Sequence, residues 1–237
     1  MRIIAGSCSI ENYDQAISLA GKLKALGVSE IRAMLFKPRT DPSSFQGIGY
    51  EGIEILKELK KMGFKIVSEV MNAEQIEKLY DYVDSMQVGA RNMQNFDLLR
   101  ELGRTDKNII LKRGFASYIE EWIKASEYIT RAGNQNVTLC ERGIRSFDNI
   151  TRNVLDIGAI IYLKEMTDFE VLADPSHSMG RRDLVPGAAK AAMAAGADGL
   201  IIEVHENPEE ALTDKDQALD IKTFEKLLRE LDGKYNL

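Results

Sequence analysis

Two short stretches place ionisable groups where an apolar run stops. VLADPSH carries Asp174 and His177 past its Val-Leu-Ala run, and GLIIEVH carries Glu203 and His205 past its Leu-Ile-Ile run. A carboxylate at the end of an apolar strand costs several kcal/mol to bury unless it is paired or coordinated. His177 follows Pro175 in a polar turn, where it cannot easily be core. Cys8 lies in GSCS after the first apolar run, and Asp214 stands eleven residues beyond Glu203. Singly, Cys8 reads as a small buried hydrophobe and Asp214 as a solvated loop acid or helix cap. Together, Cys8, His177, Glu203 and Asp214 make a mixed S/N/O set suited to a divalent transition ion and poorly suited to calcium or magnesium.

A second constellation is cationic. Arg32, Lys37, Arg39, Arg91, Lys112, Arg113 and Arg142 all fall at or beyond the ends of apolar runs. One reading is a structural ion-pair ring with Glu69, Glu141 and Asp174. The other, favoured by the excess of cations, is a pit for phosphate or carboxylate groups, with arginine supplying bidentate forks. His205 shares strand parity with Glu203 and reads either as a partner that orients it or as a satisfied core histidine. Cys140 and Trp122 read as packing, and Arg181 and Arg182 as partners of Asp183 or of helix carboxylates.

The elements that must position these groups follow from periodicity. Eight short apolar runs, each ending in polar or charged residues, alternate with eight segments of helical spacing. Examples of the latter are 13–27 and 50–63, which both stop at glycine, and 148–165. Strict alternation of this kind predicts a (β/α)8 barrel, with chemistry at the carboxyl ends of its strands. A doubly wound open sheet is the alternative, but it would concentrate its site at one switch point. The length of 237 residues and 44% hydrophobic content fit one domain spanning 1–237.

The net charge of −6 argues against a nucleic-acid partner. No run reaches the roughly 18 apolar residues of a membrane span, and MRIIAGSCSI lacks the apolar core of a secretory signal. Two cysteines suit a reducing cytoplasm.

With these residues in hand, the sequence resembles the 3-deoxy-D-arabino-heptulosonate 7-phosphate (DAHP) synthases of the type I-beta branch. GSCSIEN is similar to that family's GPCSIE, and LFKPRTDPSSFQG to its KPRTSPYSFQG. VGARNMQN, LKRG, CERGIR, DPSHSMGRRDLVP and GADGLIIEVHENPEEALTD follow in the family's order. The resemblance implies a TIM barrel that condenses phosphoenolpyruvate with erythrose 4-phosphate and releases phosphate. It implies one divalent metal (Mn, Fe, Co or Zn) on Cys8, His177, Glu203 and Asp214. It places phosphoenolpyruvate on Arg32, Lys37, Arg91, Lys112 and Arg142, and the aldose phosphate on Arg39 and Thr40. Glu69 is expected near the reacting carbon, and Lys112 as proton donor or charge stabiliser. A homo-oligomer, dimer or tetramer, is expected. Ser7 stands where the family has proline, which is expected to shift metal affinity without loss of function. No appended ferredoxin-like regulatory or chorismate mutase domain is expected, and with it no feedback control by aromatic amino acids or chorismate. The rival readings are 3-deoxy-D-manno-octulosonate 8-phosphate synthase, which uses arabinose 5-phosphate and carries a KANR-type motif where this chain has KPRT, and a non-catalytic anion-binding barrel.

Overall fold

Each of the eight apolar runs forms a strand in the computed structural model, which describes residues 1–235. The strands are β1 (Arg2–Gly6), β2 (Glu30–Arg32), β3 (Lys65–Glu69), β4 (Ser85–Val88), β5 (Asn108–Lys112), β6 (Val137–Glu141), β7 (Glu170–Ala173) and β8 (Gly199–Glu203). All pairings are parallel and in chain order, and β8 returns to β1 with Gly6 opposite Glu203, so the sheet is a closed barrel without edges. The open-sheet alternative is thereby excluded.

The helices are α1 (Tyr13–Ala25), α2 (Ile53–Lys61), α3 (Ala73–Leu79), α4 (Phe96–Leu102), α5 (Ile119–Arg131), α6 (Ile157–Met166), α7 (Pro175–Met179), α8 (Val185–Ala194) and α9 (Ile221–Tyr235). Several begin at a side-chain cap, such as Asn12, Asn72 and Asn95, whose amide oxygens accept from the backbone N–H three residues on. Trp122 anchors α5 as expected: it is fully buried, and its Nε1 donates to the Leu111 carbonyl at 3.1 Å.

Two apolar layers result. The larger lies between barrel and helices, and the smaller fills the barrel interior with Ile4, Met34, Val67, Ile110, Cys140, Leu172 and Ile201. Cys140 is therefore packing, as read. Below this plug Arg2 closes the amino-terminal mouth, its guanidinium 2.8 Å from Glu30 and 2.7 Å from Glu170. The barrel floor is thus sealed, and only the carboxyl-terminal mouth is open to chemistry.

Three departures from the expected elements all concern that mouth. α7 is an additional helix among the described residues, five residues long and too short to show a helical period. Helix α6 starts at Ile157, not at 148, because Asp156 caps it by accepting from Ala159 N at 2.9 Å. Residues 152 and 153 instead run alongside α7, with Arg152 N donating to Met179 O and Asn153 N to Ser178 O. Finally, β2 is only three residues long, and residues 35–49 make an excursion over the mouth. Lys37 N donates to Gln46 O and Gly49 N to Leu35 O. Gly47 closes that loop at φ +97°, where a Cβ would lie 2.2 Å from the Leu35 carbonyl oxygen.

Candidate active site

The chemistry-bearing side chains converge above the apolar plug. His177 rides on α7, whose N-cap is Asp174 and whose first residue is Pro175. Asp174 accepts from the His177 backbone N–H at 2.9 Å through Oδ1 and from the ring Nδ1 at 2.7 Å through Oδ2. That bond puts the ring proton on Nδ1 and turns Nε2 toward Glu203 Oε1, 3.2 Å away. Burial, outweighing Asp174 and Glu203, pulls the His177 pKa down to about 4, so the ring is neutral near pH 7. Burial opposes ionisation of Asp174, but the His177 ring and Lys112 outweigh it and hold the carboxyl well below the usual range.

Glu203 ends β8 fully buried, and Cys8 lies just past β1, the neighbouring strand. The Cys8 thiol donates to Asp214 Oδ2 at 2.9 Å and lies 3.9 Å from His177 Nε2. Burial, reinforced by Glu203, raises the Cys8 pKa well above that of a free thiol. Asp214 sits at φ +51°, the one non-glycine residue in the left-handed region among those described. Such strain costs on the order of 1–3 kcal/mol and clusters at functional sites. Burial opposes its ionisation, but Lys37, His177 and Arg152 hold its carboxyl far below the carboxylate range.

One donor atom from each of Cys8, His177, Glu203 and Asp214 lies within 4.8 Å of the other three. Glu203 Oε1 is buried without a hydrogen-bond donor and faces the same space. A thiol, a neutral imidazole and two carboxylates converging in this way fit a divalent transition ion.

The cations divide into two sets. Arg32 pairs with Glu203 at 3.1 Å, Lys112 with Asp174 at 2.5 Å and Lys37 with Asp214 at 2.7 Å. Lys37 also donates to the Cys8 sulfur. Arg113 leaves the site: it pairs with Glu141 at 2.9 Å and Asp156 at 2.8 Å, and lies outside the cavity. For Arg113 the ion-pair reading is the correct one, because successive residues on β5 and beyond point to opposite faces. Arg39, Arg91 and Arg142, by contrast, have no carboxylate partner among the described residues. Arg91 Nη2 donates to Thr40 Oγ1 at 3.3 Å, and Arg142 donates only to the carbonyls of Gly143 and His177. Burial lowers the pKa of Arg142. These three arginines, with Thr40, Lys37, Lys112, Glu69 and the metal-ligand candidates other than Glu203, line a cavity of about 240 Å³.

Glu69 ends β3, and its Oε2 accepts from Gln87 Nε2 at 2.9 Å. Burial, outweighing Lys37 and Lys112, raises its pKa, and its other oxygen has no donor. The backbone passes so close that a Cβ on Gly89 would meet Glu69 Oε1 at 2.3 Å. Of the two readings of His205, the structure favours the buried core histidine over the partner of Glu203. His205 does not touch Glu203 but faces Glu11, 3.7 Å away, and accepts from Asn207 N at 3.1 Å. The strand ends at Glu203, and Val204 bridges to Leu219, so parity no longer holds. Arg181 pairs with Asp183, as read.

Four contributors were not singled out from sequence. Gln87 was detectable as the polar residue of MQVGAR that pairs in register with Glu69. Phe115 holds three guanidiniums about its ring, those of Arg142, Arg145 and Arg91 at 4.7, 5.0 and 5.3 Å. Arg152 and Gln217 come from irregular segments that carry no periodic signal. Ser7 donates to the Ser9 carbonyl at 2.8 Å, closing the turn before Cys8 with a hydrogen bond where a proline ring would fix it covalently.

A closed (β/α)8 barrel whose sealed floor supports a cluster able to hold a metal, beside arginines without carboxylate partners among the described residues, defines an enzyme for anionic substrates, working at the carboxyl ends of its strands. More particularly, the chain belongs to the DAHP synthetase I family, whose profile matches residues 1–236. It is 46% identical over 230 residues to a phospho-2-dehydro-3-deoxyheptonate aldolase of Thermotoga maritima, covering 97% of this chain and 68% of that one. The crystal structure of DAHP synthase from T. maritima superposes with a TM-score of 0.95 over 98% of this chain and 68% of that one. A truncated form of the T. maritima enzyme, 42% identical, superposes at 0.91 over 98% of this chain and 86% of its own. A 2-dehydro-3-deoxyphosphooctonate aldolase of Desulfosudis oleivorans is 32% identical over 97% of this chain and 88% of its own length. Among the described residues no helix is long and apolar enough to cross a membrane.

Proposed function

We propose that this chain is a 3-deoxy-7-phosphoheptulonate synthase, joining phosphoenolpyruvate to erythrose 4-phosphate with release of inorganic phosphate. The observation that carries the reading is the adjacency of the Cys8, His177, Glu203, Asp214 cluster to a cavity lined by arginines without carboxylate partners. In this reading Arg142 and Arg91 take the phosphate of phosphoenolpyruvate, with Arg32, Lys37 and Lys112 toward its carboxylate. Arg39 and Thr40, carried by the 35–49 excursion, take the aldose phosphate. Cys8, His177, Glu203 and Asp214 would hold one divalent ion, Mn, Fe, Co or Zn, which would supply a Lewis acid for the aldehyde oxygen when bound.

The chain's own groups do the rest. The cations hold two anions in register and screen their repulsion, so that C3 of phosphoenolpyruvate faces C1 of the aldose. Water adds at C2, and the hemiketal phosphate breaks its C–O bond to leave phosphate. Lys112, buried against Asp174, is placed to donate a proton or stabilise charge there, and Glu69, protonated more readily than a free carboxylate, to position the water. A cytoplasmic homo-oligomer, dimer or tetramer, belongs to the same reading. The exposure of Ile161, Tyr162 and Met166 on α6 supports self-association.

Phosphate release measured with erythrose 4-phosphate and with arabinose 5-phosphate tests the substrate. The shorter aldose is expected to give the higher kcat/KM by on the order of 100-fold or more. Equal use of the two would move the chain toward the octulosonate enzymes.

A further inference from the structure

The outer oxygens of the two carboxylates in the metal-ligand cluster are tied together. Gln217, 2% exposed, donates from Nε2 to Glu203 Oε2 at 2.7 Å. Arg152 Nη1 donates both to Gln217 Oε1 at 3.0 Å and to Asp214 Oδ1 at 2.9 Å. The amide orientation follows from chemistry: guanidinium only donates and carboxylate only accepts, so Oε1 must face Arg152 and Nε2 must face Glu203. One oxygen of each acid is thereby occupied. The others, Glu203 Oε1 and Asp214 Oδ2, face His177 Nε2 at 3.2 Å and Cys8 Sγ at 2.9 Å.

The backbone supports the same bridge. Gln217 N donates to Asp214 O at 3.2 Å and Leu219 N to Glu203 O at 2.9 Å, so residues 214–219 return alongside the end of β8. Arg152 is fixed from the opposite side, where its backbone N–H donates to Met179 O at the end of the His177 helix. Two of the four candidate ligands thus meet in one network whose centre is a neutral amide, and Arg152 fastens that network to the helix that carries the third, His177.

We propose that Gln217 and Arg152 are positioning residues that hold Glu203 and Asp214 each to one inward oxygen, so that the site takes up a transition metal preformed. This rests on the metal reading above. Loss of such outer partners typically weakens metal binding by about 10–100-fold. Titration of metal-depleted protein with Co²⁺, followed by the thiolate-to-cobalt absorption from Cys8, tests both. Unaltered protein is expected to show the band. Gln217→Met is expected to weaken cobalt binding by about 10–100-fold and Arg152→Met by about 10-fold, and the double variant by less than the product of the two, because Arg152 acts partly through Gln217 and partly by its own bond to Asp214. A merely structural role would lower the thermal midpoint of the metal-free variants and leave cobalt affinity and band shape unchanged, which would overturn the proposal. Should Gln217→Met fail to fold, Arg152→Met decides alone, since its side chain is 38% exposed. Absence of the cobalt band in unaltered protein would overturn the metal reading and this inference with it.

Discussion

Arginine does two different jobs just past the ends of two neighbouring strands, β5 and β6, and the two are separable by mutation. Arg113 is locked between Glu141 and Asp156, whereas Arg142 has only carbonyl partners and faces the cavity. Removing one member of a buried ion pair strands the other, at a cost of about 3–5 kcal/mol. Arg113→Met is therefore expected to lower the denaturation midpoint, with little change in KM measured below it. Arg142→Ala should do the reverse, raising KM for phosphoenolpyruvate by an amount on the order of 2–5 kcal/mol in binding while leaving the fold intact. Denaturant melts beside initial-rate kinetics on both variants check the pair, and similar profiles for the two would contradict the assignment. Strand alternation sets Arg113 opposite Lys112, but its partners were not readable from sequence, because Glu141 lies on the next strand and Asp156 at a helix cap in irregular chain.

At the scale of elements, the barrel itself was legible, because eight apolar runs alternating with helical periods have few other solutions. The pieces that close over the mouth were not. α7 is five residues held by the Asp174 cap and Pro175, and the excursion after β2 turns on two left-handed glycines, Gly47 and Gly49. The convergence of Cys8, His177, Glu203 and Asp214 was legible from residue types at and beyond strand ends, and the Arg152–Gln217 bridge was not, since both residues lie in irregular chain that folds back from elsewhere. Gly47→Ala tests the excursion. Its Cβ would collide with backbone at a φ that costs a non-glycine residue about 1–3 kcal/mol, so the loop must shift. Because Arg39 and Thr40 ride on that loop, the variant is expected to raise KM for the aldose phosphate more than for phosphoenolpyruvate. An equal rise in both would remove the aldose site from this segment.

For the whole molecule, the cluster joins β1, the α7 turn, the end of β8 and the loop carrying Asp214, so an ion bound there ties together residues from 8 to 214. A ligand that binds only the folded state stabilises it by about 2.7 kcal/mol at a hundredfold excess over its Kd. Metal-depleted protein is therefore expected to melt several degrees below the loaded form, and Cys8→Ala, which lacks the thiolate ligand, should lose most of that difference. The most direct measurement is erythrose 4-phosphate-dependent release of phosphate from phosphoenolpyruvate, before metal depletion, after it, and after return of Mn²⁺. The rate is expected to fall to background on depletion and to recover when the ion is restored. A full rate in protein verified to be metal-free would contradict the account.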